Sequence, residues 1–237
     1  MLKKLKAVSI VIPTLNEAYN LKIIVSKINK YLKKNIYEII IVDDNSSDGS
    51  KEVLAELIKK NRHLRFYIRN KKPDLNQSCQ LGFKKSKFNN IIVMDADLQH
   101  DPKYLPRMIN FFFSEKVDFL IGTRNFSKEI FNQPRFIASL ILIKIINVLL
   151  GHKAMDPMSG FFIFKKSIYL RNQKRLYGFG FKILFDLLYT EKKFLLIKNF
   201  SFKFKNRSYH KSKMNSKILF ILIKMILFFF KKRPFKS

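Results

Sequence analysis

The chain has little that would staple a fold or cross a membrane. Among its 237 residues there is one cysteine, Cys79, which excludes an intramolecular disulfide framework and a multi-cysteine zinc site and fits a reducing compartment. Tryptophan is absent, although phenylalanine occurs 25 times. No apolar run reaches the roughly 20 residues that span a bilayer; segments 136–150 and 218–230 are shorter and each contains one lysine, Lys144 and Lys224. The apolar run 7–12 behind the basic residues 1–6 is too short for the core of a secretory signal, so no signal peptide is expected. Neither G-x-x-x-x-G-K-[ST] nor G-x-G-x-x-G occurs, so P-loop and dinucleotide sites lose support.

Acidic residues are scarce too. Seventeen Asp and Glu face 47 Lys and Arg, a net charge of +30. Residues 1–129 hold 24 basic and 14 acidic side chains, a net of +10; residues 130–237 hold 23 and 3, a net of +20. A nucleic acid, an anionic bilayer or a phosphorylated substrate could each face that second half. A compositional bias toward Lys and Asn is the plainer source of part of the excess. Hydrophobic residues at 47% and charged ones at 27% fit a globular protein and argue against a disordered one.

What is present reads as alternating strands and helices. Residues 7–12, 36–42, 64–68, 91–94 and 117–121 are short apolar runs of strand type. Amphipathic stretches at 18–32 and 51–60, with a further helix at 77–85, lie between them. Continuous apolar strands separated by helices imply a mostly parallel sheet covered on both faces, with ligands at the carboxyl ends of the strands. Beyond Arg124 come a polar stretch, the apolar segment 136–150, Asp156-Pro157-Met158-Ser159-Gly160 and a strand at 161–164. A Gly-aromatic turn at 177–181 is followed by a helix and a strand at 194–204. Segment 218–230 ends in Lys231-Lys232-Arg233, and Lys217 and Lys224 share a helical face. It fits an interfacial helix, and equally a buried core helix.

Polar clusters follow four strands: Pro13-Thr14-Leu15-Asn16-Glu17, Asp43-Asp44-Asn45-Ser46-Ser47-Asp48, Asp95-Ala96-Asp97 and Gly122-Thr123-Arg124. Helix capping would account for any one of them, but four together point to a ligand site. Asp95 and Asp97 lie at period two and should share one side of an extended chain. With Gln99 they offer hard oxygen ligands for Mg²⁺ or Mn²⁺, ions that bring substrate phosphates with them. His63, His100, His152 and His210 are scattered; only His100 lies near these acids. Glu17 and Asp186 could be acids or bases, or equally a cap and a surface charge. Cys79 has no neighbouring His and reads as packing.

The ordered set V-S-I-V-I-P-T-L-N-E, I-I-I-V-D-D-N-S-S-D-G-S, V-M-D-A-D-L-Q-H, G-T-R and D-P-M-S-G-F resembles glycosyltransferase family 2. Within it the set is most similar to the dolichyl- or polyprenyl-phosphate mannosyltransferase group, from about Val8 to Met214. The resemblance implies an α/β, GT-A (nucleotide-diphospho-sugar transferase) fold, and C-terminal amphipathic interfacial helices are expected with it. Residues 1–213 would be the catalytic domain, with 136–150 an apolar acceptor segment, and 214–237 a basic membrane-surface tail. The implied activity is inverting transfer of a hexose, mannose from GDP-mannose before others, to a polyprenyl phosphate at the cytoplasmic membrane face. A UDP-sugar hexosyltransferase is the alternative. A basic nucleic-acid-binding module is the rival of another class, but it leaves the strand-end acids unexplained.

The resemblance also implies roles. Pro13, Asn16, Glu17 and Asp44 would hold the nucleotide. Asp95, Asp97 and Gln99 would hold the metal and the sugar-nucleotide diphosphate. Arg124, Arg135 and Ser139 would hold the acceptor phosphate, and Arg207 with Ser212 and Lys213 would close over the phosphates. Three departures from the family pattern stand out: Leu140-Ile141-Leu142-Ile143 after Ser139, His210 in the late motif, and Pro73-Asp74-Leu75-Asn76-Gln77-Ser78 before the third helix.

Overall fold

The computed structural model describes residues 6–125, 143–146, 148, 154–191, 193–203 and 216–231. Its centre is a seven-stranded sheet. In chain order the strands are β1 (Ala7–Thr14), β2 (Ile36–Asp43), β3 (Leu64–Ile68), β4 (Asn90–Val93), β5 (Phe119–Asn125), β6 (Phe162–Lys165) and β7 (Ile197–Lys203). They lie in the order β3-β2-β1-β4-β6-β5-β7. β6 runs antiparallel to both of its neighbours, and every other pairing is parallel.

β-Branched residues make the parallel half, because both of its faces are covered. Ile10, Ile12, Ile39, Ile41 and Ile92 pack on one face with α1 (Ala18–Tyr31), α2 (Ser50–Lys60) and α4 (Leu105–Glu115). Val11, Ile40, Val42, Ile91 and Val93 pack on the other with α3 (Leu75–Lys85), α5 (Lys166–Asn172) and α6 (Ile183–Thr190). This alternation is the period of two expected of a strand. In α1 the buried residues Leu21, Ile24, Val25 and Ile28 form one stripe. α3 sits close to β1 because Gly82 lies against Val11, where a Cβ would come 2.3 Å from Cγ1.

The strands and first three helices match the sequence reading, and β5 and β7 differ only at their ends. The sequence reading leaves out α4, although its buried Leu105, Met108, Ile109 and Phe112 stand at helical spacing, with half-buried Phe111 and Phe113 beside them. A third, smaller cluster joins Ile146, Met158 and Phe185 to Met225, Ile226 and Phe229 of α7 (Ser216–Lys231). The C-terminal segment is therefore neither wholly core nor wholly surface. Ile223, Leu227 and Phe230 of the same helix are exposed. Among the described residues no helix is long and apolar enough to cross a membrane.

The order β2-β1-β4 makes the gap between β1 and β4 a topological switch point, where the connections leave in opposite directions and a crevice opens. Because β6 is reversed, the segment that enters it, residues 154–161, lies at the same end of the sheet.

Candidate active site

The β1 and β2 ends are tied into one cradle. Thr14 pairs with Asp43 across the two strands. The Asp43 carboxylate accepts from the Ser46 amide at 2.9 Å and from the Ser46 hydroxyl at 2.6 Å. Ser46 Oγ in turn accepts the Asn16 N–H at 2.8 Å, and Asn16 Oδ1 accepts the Ser47 N–H at 2.9 Å. Asn16 and Asn45 both have positive φ, 55° and 65°, a region that Asn tolerates better than most residues. Asp48 accepts from the amides of Ala18 and Ser50, so it tethers the N-termini of α1 and α2. Glu17 is buried and accepts from Asn20 at 2.7 Å.

Asp44 is the next acid along and is 4% exposed. Its Oδ1 accepts from Arg69 Nη1, and its Oδ2 accepts the Asp74 N–H. Burial pushes its carboxyl above the ordinary carboxylate range, and the Asp74 N–H and Arg69 oppose that rise without cancelling it. Arg69 is held from its far side by Gln77 Oε1 at 2.7 Å. The segment 73–78, where the chain departs from the family pattern, is thus the one that fastens Asp44. Arg69 carries no local sequence signal. Asp74 does, as an N-cap whose side chain accepts the Gln77 N–H at 3.0 Å.

Across the switch point, β4 ends at Val93, and residues 96–100 form bends. Asp95 and Asp97 therefore do not share a side of an extended strand. Leu98, at φ 63°, reverses the chain after them. The Asp95 side chain is 37% exposed, whereas Asp97 is buried and accepts the Gln99 N–H at 3.1 Å. His100 is buried and stacks on Phe161 with ring centroids 5.1 Å apart; its Nδ1 accepts the Asp95 N–H at 3.2 Å. The same Nδ1 lies 3.5 Å from Asp95 Oδ2, so His100 packs against Asp95 in a supporting role. On the other side of Asp95 lies Gly160, brought there by residues 154–160. Ser159 donates to the Gly122 carbonyl at 2.7 Å and fastens this segment to β5.

Asp95, Asp97 and the Gln99 side-chain oxygen fit a hard divalent cation. They are oxygen donors, Asp95 is open to solvent, and Gly160 leaves beside its carboxylate a space that any Cβ would fill. Among the described residues no three of His, Cys, Asp and Glu converge as a closed metal cage. A cation held here would therefore take further ligands from a substrate, as Mg²⁺ does with phosphates. Beneath the rim, Cys79 is wholly buried. Burial first, then the charges of Asp95, Asp74 and Asp44, hold its thiol well above the usual range, so it is inert.

Asp186, open in the sequence as acid, base or surface charge, is wholly buried under residues 177–178. It accepts from the Tyr177 and Gly178 amides at 2.8 Å each and from Asn76 at 2.9 Å. Burial raises its carboxyl, and these bonds offset part of the rise. Pro13 is buried in β1 opposite Val42. Arg124 stands near the end of β5, in register with Phe202 of β7. Arg135, Ser139, Arg207, Ser212 and Lys213 lie outside the described residues.

This mostly parallel sheet flanked by helices, with carboxylates outside its strand ends, has the fold of the GT-A class of nucleotide-diphospho-sugar transferases. The chain belongs to glycosyl transferase family 2, whose family model matches residues 9–171, and is by family a glycosyltransferase. It is 34% identical over 227 residues to a dolichol-phosphate mannosyltransferase of Pyrococcus furiosus, covering 92% of this chain but only 62% of that relative's length. A dolichol-phosphate mannosyltransferase of Mycosarcoma maydis is 30% identical over 233 residues, covering 92% of this chain and 77% of the relative. Among solved structures, glucosyl-3-phosphoglycerate synthase from Mycobacterium tuberculosis, in complex with Mn²⁺, UDP-glucose and phosphoglyceric acid, superimposes with a TM-score of 0.75. The match covers 97% of this chain and 81% of that one at 14% identity, a likeness of fold.

Proposed function

We propose that the protein transfers mannose, with inversion, from GDP-mannose to a polyprenyl phosphate of the dolichyl type. The observation that carries this reading is the half-open Asp95 beside buried Asp97 at the end of β4, facing the Asp44 cradle across the switch point. The names of the relatives that are 30–34% identical supply the sugar and the acceptor class.

Two anionic reactants must meet, so the chemistry is chiefly electrostatic. The acceptor is a phosphate monoester whose second pKa is about 6, so its oxygen is already ionised at neutral pH and needs no strong base. Asn16, Glu17 and Asp44 hold the nucleotide. Asp95, Asp97 and Gln99 would hold Mg²⁺ or Mn²⁺, whose charge offsets that of the departing nucleoside diphosphate. Arg124, Arg135 and Ser139 orient the acceptor phosphate for in-line attack on the anomeric carbon, and Arg207 and Lys213 close over the phosphates.

A peripheral position at the cytoplasmic membrane face completes the reading. The exposed Ile223, Leu227 and Phe230 of α7 alternate with the exposed Lys224 and Lys231, within the half of the chain that carries +20. Apolar side chains edged by lysine suit the headgroup region of an anionic bilayer. No nucleic acid takes part in this scheme. The test is to incubate the purified protein with polyprenyl phosphate, Mn²⁺ and labelled GDP- and UDP-sugars. Label from GDP-mannose entering the organic phase is expected. Label only from a UDP-sugar replaces the donor, and no lipid-borne label refutes the proposal.

A further inference from the structure

We propose that residues 177–182 form a strap over the strand-end rim that holds the nucleotide-side and metal-side acids in register, with Asp74 and Lys182 as its anchors. The proposal rests on the donor-site reading above and adds two positioning residues to it. The strap is built on two glycines in the left-handed region, Gly178 at φ 83° and Gly180 at φ 94°. That backbone turns successive amides toward acids. Tyr177 and Gly178 donate to Asp186 below, and Gly180 donates to Asp74 Oδ2 at 2.7 Å. The Gly180 carbonyl accepts the Asn76 N–H at 2.8 Å, and the Gly178 carbonyl accepts from Gln80 at 3.2 Å.

Two bonds from this segment reach different walls of the crevice. Gly180 takes Asp74, whose own N–H is bonded to Asp44. Two residues on, Lys182 Nζ donates to the Met158 carbonyl at 3.2 Å, two residues before the Gly160 that lies against Asp95. Asp44 and Asp95 leave different strands, β2 and β4, with β1 between them. A nucleoside diphosphate must touch both walls at once, and such a ligand binds best where their spacing is set beforehand.

The two carboxylate oxygens of Asp74 have separate duties, which makes the idea testable. Oδ1 caps α3 through the Gln77 N–H, and Oδ2 takes Gly180. In Asp74→Asn the amide oxygen can keep the cap, while the NH₂ group meets the Gly180 N–H donor to donor. Asp74→Ala loses both. Lys182→Met keeps the stem and loses the ammonium.

The experiment measures, by calorimetry on the full chain, binding of GDP and of UDP in the presence of Mn²⁺, together with thermal unfolding. For the nucleotide that the wild type prefers, Asp74→Asn and Lys182→Met are each expected to raise Kd about 10-fold. The double variant should bind no more than about twofold more weakly than the weaker single, because both changes release one strap. Asp74→Asn should melt near the wild type and Asp74→Ala clearly below it. Single variants with Kd within twofold of wild type overturn the proposal, as does a double variant whose loss is the product of the two. An Asp74→Asn that loses stability like Asp74→Ala with unchanged affinity shows a purely structural role. A wild type that binds nucleotide but labels no lipid refutes the mannosyl-transfer reading and leaves this test standing; a wild type that binds neither nucleotide overturns both.

Discussion

Asp95 and Gly160 meet across the rim so closely that a Cβ on residue 160 would come within 2.7 Å of Asp95 Oδ2. The obstructed atom is the end of a side chain, so the fold can yield by turning the carboxylate away. Gly160→Ala is therefore expected to shift the melting temperature by no more than a few degrees while lowering transfer at least about 10-fold, since misplacing a charged group by about 1 Å is costly in a site that depends on position. Thermal unfolding and initial rates at saturating Mn²⁺ check this; full activity would show that Asp95 does not act from this orientation.

Asp97 is buried, with one oxygen taking the Gln99 N–H. Asp97→Ala should abolish metal-dependent transfer, and a chelator should do the same to the wild type, reversibly on adding Mn²⁺. Unchanged turnover in purified Asp97→Ala removes Asp97 from the mechanism, and unchanged turnover of the wild type under chelation removes the metal. By contrast, Arg124→Ala should raise the acceptor KM and leave donor binding as it was, and a change confined to donor KM would reassign that arginine.

How much of this could be read from residues alone depends on distance along the chain. The strand ends could, because an apolar run of four to eight residues stopping at Pro13, Asp43 or Asp95 marks both the element and its exit. The direction of β6 could not, since Phe162, Ile163 and Phe164 would be equally apolar in either orientation. Nor could the tie between Asp44 and Arg69, 25 residues apart, or the closeness of Gly160 to Asp95, which exists only once β6 has turned back between β4 and β5. α4 was legible as well, since Leu105, Met108, Ile109 and Phe112 stand at helical spacing. Asp95 and Asp97 were visible as a pair, but their period-two geometry fails because the strand stops at Val93.

Gly82→Ala tests the packing that sets α3, and with it Asp74, against the sheet. The added methyl would lie 2.3 Å from Val11 Cγ1 between a central strand and a helix, where neither side chain nor backbone can easily retreat. Overpacking of this kind costs about 2–3 kcal/mol, or a melting temperature about 5–10 °C lower for a chain of this size. Differential scanning calorimetry reads it directly. Unaltered stability would mean that α3 slides freely over β1.

Acid should weaken the fold through Glu191. This side chain is 2% exposed and accepts from Arg171 Nε, from the Asn172 amide at 2.9 Å and from the Lys193 N–H at 2.9 Å. Burial pushes its carboxyl up, but these partners outweigh burial and hold it below the ordinary glutamate value. A depressed folded-state pKa gives stability that is complete above the unfolded value, about 4.3, and is lost as pH falls below it. Melting curves from pH 7 to 3 should show Glu191→Gln starting lower than wild type and falling less steeply. Parallel curves would exclude Glu191 as a contributor.

Leu227→Asp places a charge on the exposed face of α7 without touching the buried Met225, Ile226 and Phe229. Sedimentation with phosphatidylglycerol vesicles should fall by at least about half at low salt, given the apolar area lost and the charge repulsion gained, while the melting temperature holds. Equal sedimentation would assign the membrane contact to another surface.

The reversal of one ribbon near the middle of the sheet also divides the molecule for anyone who would re-engineer it. Because β6 runs backwards, the loop that precedes it is wedged between the mouths of β4 and β5, while the joint that follows it, Lys165 into α5, faces the opposite pole. Changes made within residues 154–160 should thus be felt at Asp95 and the mouth of the crevice. A graft at the far joint would alter only the protein's underside.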